Sequence, residues 1–183
     1  MGFSFGCYTA HGAVALTPDV ADAVILTAIS FNETGLNVNG LLRSYVPRIV
    51  NLQNPALFGD RDNGFMTWVD NFAQIHNYFQ KPNYDDETAD FAEFSKQPFA
   101  VTEFLTLLSA PRDTSDYEGP VLAITGDTDY IFCDGYCYSI FDEPAETLYR
   151  NSANFSRVLH PGASYNINFH HNATGAYTVI TGF

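Results

Sequence analysis

Three short apolar runs constrain this chain more than any other feature. They lie at residues 22–28 (Asp-Ala-Val-Ile-Leu-Thr-Ala), 121–126 (Val-Leu-Ala-Ile-Thr-Gly) and 155–160 (Phe-Ser-Arg-Val-Leu-His). Each has the length of a strand, and the first two are apolar at most positions rather than alternating. A strand of that kind is buried on both faces, which calls for helices above and below a parallel sheet. Helix-compatible stretches fall between the runs. Residues 7–16 carry an apolar stripe at Ala10, Ala13 and Val14, and Pro18 ends it. Residues 138–150 suit another helix, and 167–181 a closing one, against the β-branched bias of Thr178-Val179-Ile180. The alternation predicts an α/β domain, with a short parallel sheet flanked by helices.

The middle of the chain has a different character. Residues 31–40 are rich in Asn and Gly and read as a loop. From about 41 to 85, Phe65, Trp68, Phe72, Ile75, Tyr78 and Phe79 recur at three- and four-residue steps. That spacing predicts two or three short helices sharing one aromatic face. Asp85-Asp86-Glu87 then opens a helix of about 20 residues, acidic at its start as the helix dipole favours. It closes near Ala110-Pro111.

Composition removes several classes of function. The formal charge is 8 − 21 = −13, which disfavours nucleic acid and anionic membrane surfaces as partners. No apolar run approaches the roughly 20 residues of a membrane span. The first residues show neither a basic stretch nor a long apolar one, so no secretory leader is visible. Sequons at Asn32, Asn154 and Asn172, with the acidic, Lys-poor composition, lean toward a secreted protein. Cys133 and Cys137 are close enough to bridge, leaving Cys7 single. No second Cys/His pair stands at a spacing that fits zinc, so a local disulfide or free thiols are the reading. No cofactor or metal is expected.

Two segments carry chemistry. Gly2-Phe3-Ser4-Phe5-Gly6 matches Gly-x-Ser-x-Gly, a sharp strand-to-helix turn that exposes the serine hydroxyl, with flanking glycines for close approach. The N–H of Phe5 would supply an oxyanion donor. Val121–Thr125 followed by Gly126-Asp127-Thr128-Asp129 places carboxylates at the carboxyl edge of a parallel sheet, where sites of α/β folds lie. Asp129 could orient an imidazole there, or simply cap the helix that follows.

With these segments, and Gly162-Ala163-Ser164-Tyr165 through His170, the chain resembles the α/β-hydrolase superfamily. A stretch similar to "Asp…Phe-Cys…Cys" at Asp129–Cys137 looks most like its secreted-type fungal branch. The resemblance implies Ser4 as nucleophile, Asp129 as triad acid, and residues of about 40–110 as a helical cap within one domain spanning 1–183. It implies a serine hydrolase acting on a small-molecule ester, a related acyl bond or a peptide, with no cofactor.

Two departures shape the expectation. The family's histidine follows a glycine after the last strand, and here that pair reads Ser164-Tyr165. A phenol with a solution pKa near 10 is no base for a serine at neutral pH. His170 is the nearest replacement, and His160 a second; His11 and His76 read as structural. The resemblance also begins at the elbow, whereas family members carry several strands before it. The expectation is a partial domain with an open sheet edge, whether from a truncated gene model, a degraded gene or a product that another chain completes, acting as a hydrolase without its usual base, or as a non-catalytic remnant or apolar-ligand binding module.

Overall fold

The computed structural model describes residues 1–31, 43–107 and 109–183. The chain enters through β1 (Gly2–Phe3), turns at Ser4 into helix α1 (Phe5–Leu16), and reaches β2 (Val24–Thr27). A middle section holds β3 (Arg48–Ile49), α2 (Val50–Gln53), α3 (Pro55–Phe58), β4 (Phe65–Thr67), α4 (Asn71–Tyr78), α5 (Asp86–Phe94), β5 (Phe99–Ala100) and α6 (Val101–Leu105). The last third runs β6 (Val121–Gly126), α7 (Tyr130–Cys133), α8 (Ala145–Leu148), β7 (Phe155–His160), a 3-10 turn at Ile167–Phe169, and α9 (Ala173–Gly182).

Four strands form one parallel sheet in the order β1-β2-β6-β7. Every residue of β6 is buried. Its side chains alternate between two cores. Val121 and Ala123 pack with Cys7 and Val14 of α1, Leu26 of β2 and Ala145 of α8. Leu122 and Ile124 pack with Ala163, Ile167 and Ala176 of α9. The period of two along a strand therefore demands cover on both faces, and α1 and α9 supply it. Burying Leu122 and Ile124 contributes about 2 kcal/mol each. The α/β sheet expected from the three apolar runs is present, at nearly the expected bounds.

The middle section departs from the expected helical cap. It contains a three-stranded antiparallel sheet, β3-β4-β5, with short helices around it. Phe65 lies in β4, and Phe72 is 82% exposed, so no single aromatic helix face exists. The long helix expected from Asp85 stops at Phe94, because Pro98 lacks an N–H and pushes the residue before it toward extended backbone. The helix expected over 138–150 shrinks to Ala145–Leu148 behind Pro144. The β-branched run in α9 does not break it. The loop expected at 31–40 and the sequon at Asn32 lie outside the described residues, Phe31 excepted. Asn154 is exposed, while the Asn172 amide donates inward to the Pro161 carbonyl. Cys133 and Cys137 form a disulfide, and Cys7 is free and buried. Among the described residues no helix is long and apolar enough to cross a membrane.

Candidate active site

Ser4 stands between β1 and α1 with φ 50° and ψ −117°. A positive φ on a residue with a Cβ costs on the order of 1–3 kcal/mol and persists only where neighbours impose it. Here the Ser4 N–H donates to the Thr27 carbonyl at 2.9 Å, and the Ser4 carbonyl accepts from the Cys7 N–H at 2.8 Å. The Thr27 hydroxyl ties down Gly2 by donating to its carbonyl at 2.9 Å. A Cβ at Gly2 would sit 2.5 Å from the Gly6 carbonyl oxygen, so the close approach of strand and helix requires glycine there. Gly6 is not required in the same way: a Cβ there meets nothing. The Ser4 side chain does not cap its own helix. As the first residue of α1, Phe5 has an N–H with no carbonyl of that helix to bond, which leaves it available to an oxyanion.

Asp129 follows the carboxyl end of β6 and is fully buried. One carboxylate oxygen accepts from the Thr125 hydroxyl at 2.6 Å, and the other from the Phe132 N–H at 3.0 Å. The residue therefore caps α7. Burial pushes its carboxyl from 3.8 up to about 6, the Thr125 hydroxyl and backbone N–H groups pulling the other way.

Tyr165 is the third member of the cluster. It lines the cavity together with Ser4, and both the Ser4 hydroxyl and the Asp129 charge act on its phenol. Its ring stacks on Tyr78 at 5.1 Å and on Phe132 at 6.0 Å. Burial first, then Tyr78, holds its phenol well above the ordinary range, so it stays neutral and cannot take a proton from serine. The turn that carries it is clamped to the end of β6. Asp127 accepts from the Gly162 N–H at 2.8 Å, and Ala163 accepts from the Thr128 hydroxyl at 2.9 Å. A Cβ at Gly126 would lie 2.1 Å from the Ala163 carbonyl oxygen and 2.4 Å from that of Ser164, both backbone atoms. Gly126→Ala is expected to push this turn away and lower stability by about 1–3 kcal/mol, read by thermal melting.

The sequence-predicted residues divide accordingly. Ser4, Phe5 and Tyr165 come together around one cavity, with Asp129 behind Tyr165. His170 does not join them. Its Nε2 accepts from the Gln80 N–H at 3.0 Å and the Ser164 N–H at 3.2 Å, and its Nδ1 donates to the Asn166 carbonyl at 2.9 Å. Both nitrogens clamp backbone, burial lowers its pKa, and the geometry gives no support to a base role. His160 donates from Nε2 to the Asn172 carbonyl at 3.0 Å. His11 is structural: Nε2 donates to the Arg112 carbonyl at 3.0 Å and Nδ1 accepts from the Tyr149 hydroxyl at 2.7 Å. The exposed His76 packs its ring on Tyr130 at 4.3 Å.

The cavity has a volume of about 590 Å³ and is apolar. Ser4, Phe5 and Tyr165 meet Ile131 and Phe132 of α7, and the middle section closes it with Tyr45, Met66, Tyr78, Phe99, Val101 and Phe104. Tyr45 donates its hydroxyl to that of Tyr78. Sequence reasoning placed Tyr78 on an aromatic face but missed Tyr45, Phe99 and Phe104, because Tyr45 precedes β3, Phe99 sits in a two-residue strand and Phe104 in the five-residue α6, elements too short to show a period. Among the described residues no group of three His, Cys, Asp or Glu side chains is placed to hold a metal ion.

No family model matches the sequence, and no curated protein matches it. Solved structures do match. The Rv0554 protein of Mycobacterium tuberculosis superposes with a TM-score of 0.64 at 15% identity, covering 100% of this chain and 63% of its own. An E-2-(acetamidomethylene)succinate hydrolase gives 0.56 at 17%, covering 100% and 64%. A thermophilic esterase from Thermogutta terrifontis gives 0.55 at 16%, covering 98% and 62%. The chain has an α/β-hydrolase fold. It spans a little under two thirds of the length of these proteins. Within this α/β-hydrolase fold the strained serine, the sheet-edge aspartate and the apolar cavity meet at the carboxyl end of the parallel strands, where an open α/β sheet places its ligands.

Proposed function

We propose that the chain is a serine-hydrolase-type α/β-hydrolase, in which an ester or related acyl compound occupies the 590 Å³ cavity against the Ser4 hydroxyl. One observation carries this reading: Ser4 is held at positive φ on the N-terminus of a 12-residue helix, with its side chain lining the cavity instead of capping the helix. Strain of that sort marks a residue placed for chemistry rather than packing. In the reaction Ser4 Oγ attacks the acyl carbon, the carbonyl oxygen gains the negative charge and accepts from the Phe5 N–H, and the C–O bond to the leaving group breaks as the serine proton passes through water to the departing alkoxide, which leaves as the alcohol. The serine proton has no imidazole to receive it, because Tyr165 stands at that place and is neutral. Turnover is therefore slow, and acylation outruns it only with reactive acyl donors.

A second reading rests on the same tyrosine. A neutral phenol beside Ser4 leaves the apolar cavity intact and supplies no base, which suits a module that holds an apolar ligand without transforming it. A fluorophosphonate probe separates the two. Slow covalent labelling that disappears in Ser4→Ala is the expected result. Folded protein that takes no label ends the hydrolase reading and leaves the binding module.

A further inference from the structure

The cavity has aromatic walls and a single charge. Tyr45, Tyr78, Tyr165, Phe99 and Phe104 supply ring surface, and Glu103 is the one charged residue among the described lining. Among the described lining residues there is no Lys, Arg or His. Glu103 is exposed, and one of its carboxylate oxygens accepts from the Ala100 N–H at 2.9 Å, which fixes the side chain at the start of α6 while the charge faces water. A carboxylate-bearing or phosphorylated acyl chain would find no counter-charge here and would meet Glu103. A plain hydrocarbon would make no use of that charge, whereas a cationic head at the rim would.

We infer that the ligand of this cavity carries an alkylammonium group, so that the substrate class is a cationic ester or acyl compound rather than an anionic one. This rests on the cavity being the site proposed above, but not on Ser4 being reactive. Ring faces attract a quaternary ammonium through their quadrupoles, more strongly once water is excluded. The Glu103 carboxylate adds a fixed opposite charge. The chain's net charge of −13 raises the local concentration of cations before any contact forms.

Three probes of equal tail length test this by calorimetry at physiological ionic strength: octyltrimethylammonium, octanol and octanoate. The ammonium compound is expected to bind about tenfold tighter than octanol, from stacked aromatic contact in a partly dry site. Octanoate is expected to bind weakest. Glu103→Gln keeps an acceptor for the Ala100 N–H, so the helix start survives. In that variant the ammonium preference should fall by about threefold, the size of an exposed charge contact, with octanol binding unchanged. Val101→Trp, which fills the cavity, should abolish binding of all three while the fold, followed by circular dichroism, is kept. Equal affinity for octanol, tighter binding of octanoate, or an unchanged preference in Glu103→Gln would overturn the inference. Fluorophosphonate labelling reports on Ser4 alone, so failure of the hydrolase reading is separately visible.

Discussion

Tyr165→His is expected to raise ester hydrolysis by roughly 10²–10⁴-fold over the natural chain, the range a positioned general base supplies. The place for an imidazole already exists. The Tyr165 side chain lines the cavity with Ser4 and lies within the field of the Asp129 carboxylate. Its turn is locked to β6 by the contacts of Asp127, Thr128 and Gly126 with Gly162 and Ala163, so the substituted side chain inherits a fixed origin. The gain should depend on pH and appear as the imidazole loses its proton, near its ordinary value of about 6.5. Adding Asp129→Asn to Tyr165→His should remove much of the gain, because the imidazolium formed during attack would lose its counter-charge. Initial rates with an activated short-chain ester, across pH 5 to 9, measure all of this. A folded Tyr165→His protein no faster than its parent would show that the elbow and the aspartate are not poised for catalysis.

The parts of this site that the sequence discloses are those fixed by local backbone demands. Gly2 is glycine because the helix backbone lies against it, and Ser4 is bent because Thr27 and Cys7 hold its two peptide groups. Such constraints leave a short, spaced signature. The apolar run at 121–126 announces a two-sided strand for the same reason, since each face has its own core. What the sequence hides is the middle section. Its strands are two or three residues long, too short to show a period, and its aromatic spacing imitates a helix while Phe65, Phe72 and Tyr78 go to a strand, to solvent and to the cavity. The role of His170 is hidden as well. Its distance along the chain from Tyr165 says nothing of its clamping Gln80, Ser164 and Asn166, a tertiary arrangement with no local pattern.

Stability between pH 4 and 6.5 should show two buried groups working against each other. Asp129 is pushed from 3.8 up to about 6 by burial, so the folded chain holds this proton more tightly than the unfolded one. Its contribution is complete below pH 4 and is lost as pH rises through 6, a change of about 3 kcal/mol. His11 moves the other way. Burial lowers it from 6.5 to about 4, so its contribution is complete above pH 6.5 and is lost as pH falls through 4, again by about 3 kcal/mol. His170, also lowered by burial, acts in the same direction as His11. In the natural chain the opposing slopes largely cancel, leaving a modest loss on the acid side. Asp129→Asn keeps the acceptor for the Phe132 N–H and should expose the histidine slope, so that stability climbs by about 3 kcal/mol from pH 4 to 6.5. His11→Gln, which still offers Tyr149 an acceptor and Arg112 a donor, should expose the opposite slope. Urea unfolding at half-unit pH intervals reads both. A His11→Gln curve that does not fall as pH rises from 4 to 6.5 would mean that burial does not raise the Asp129 carboxyl enough to outweigh His170.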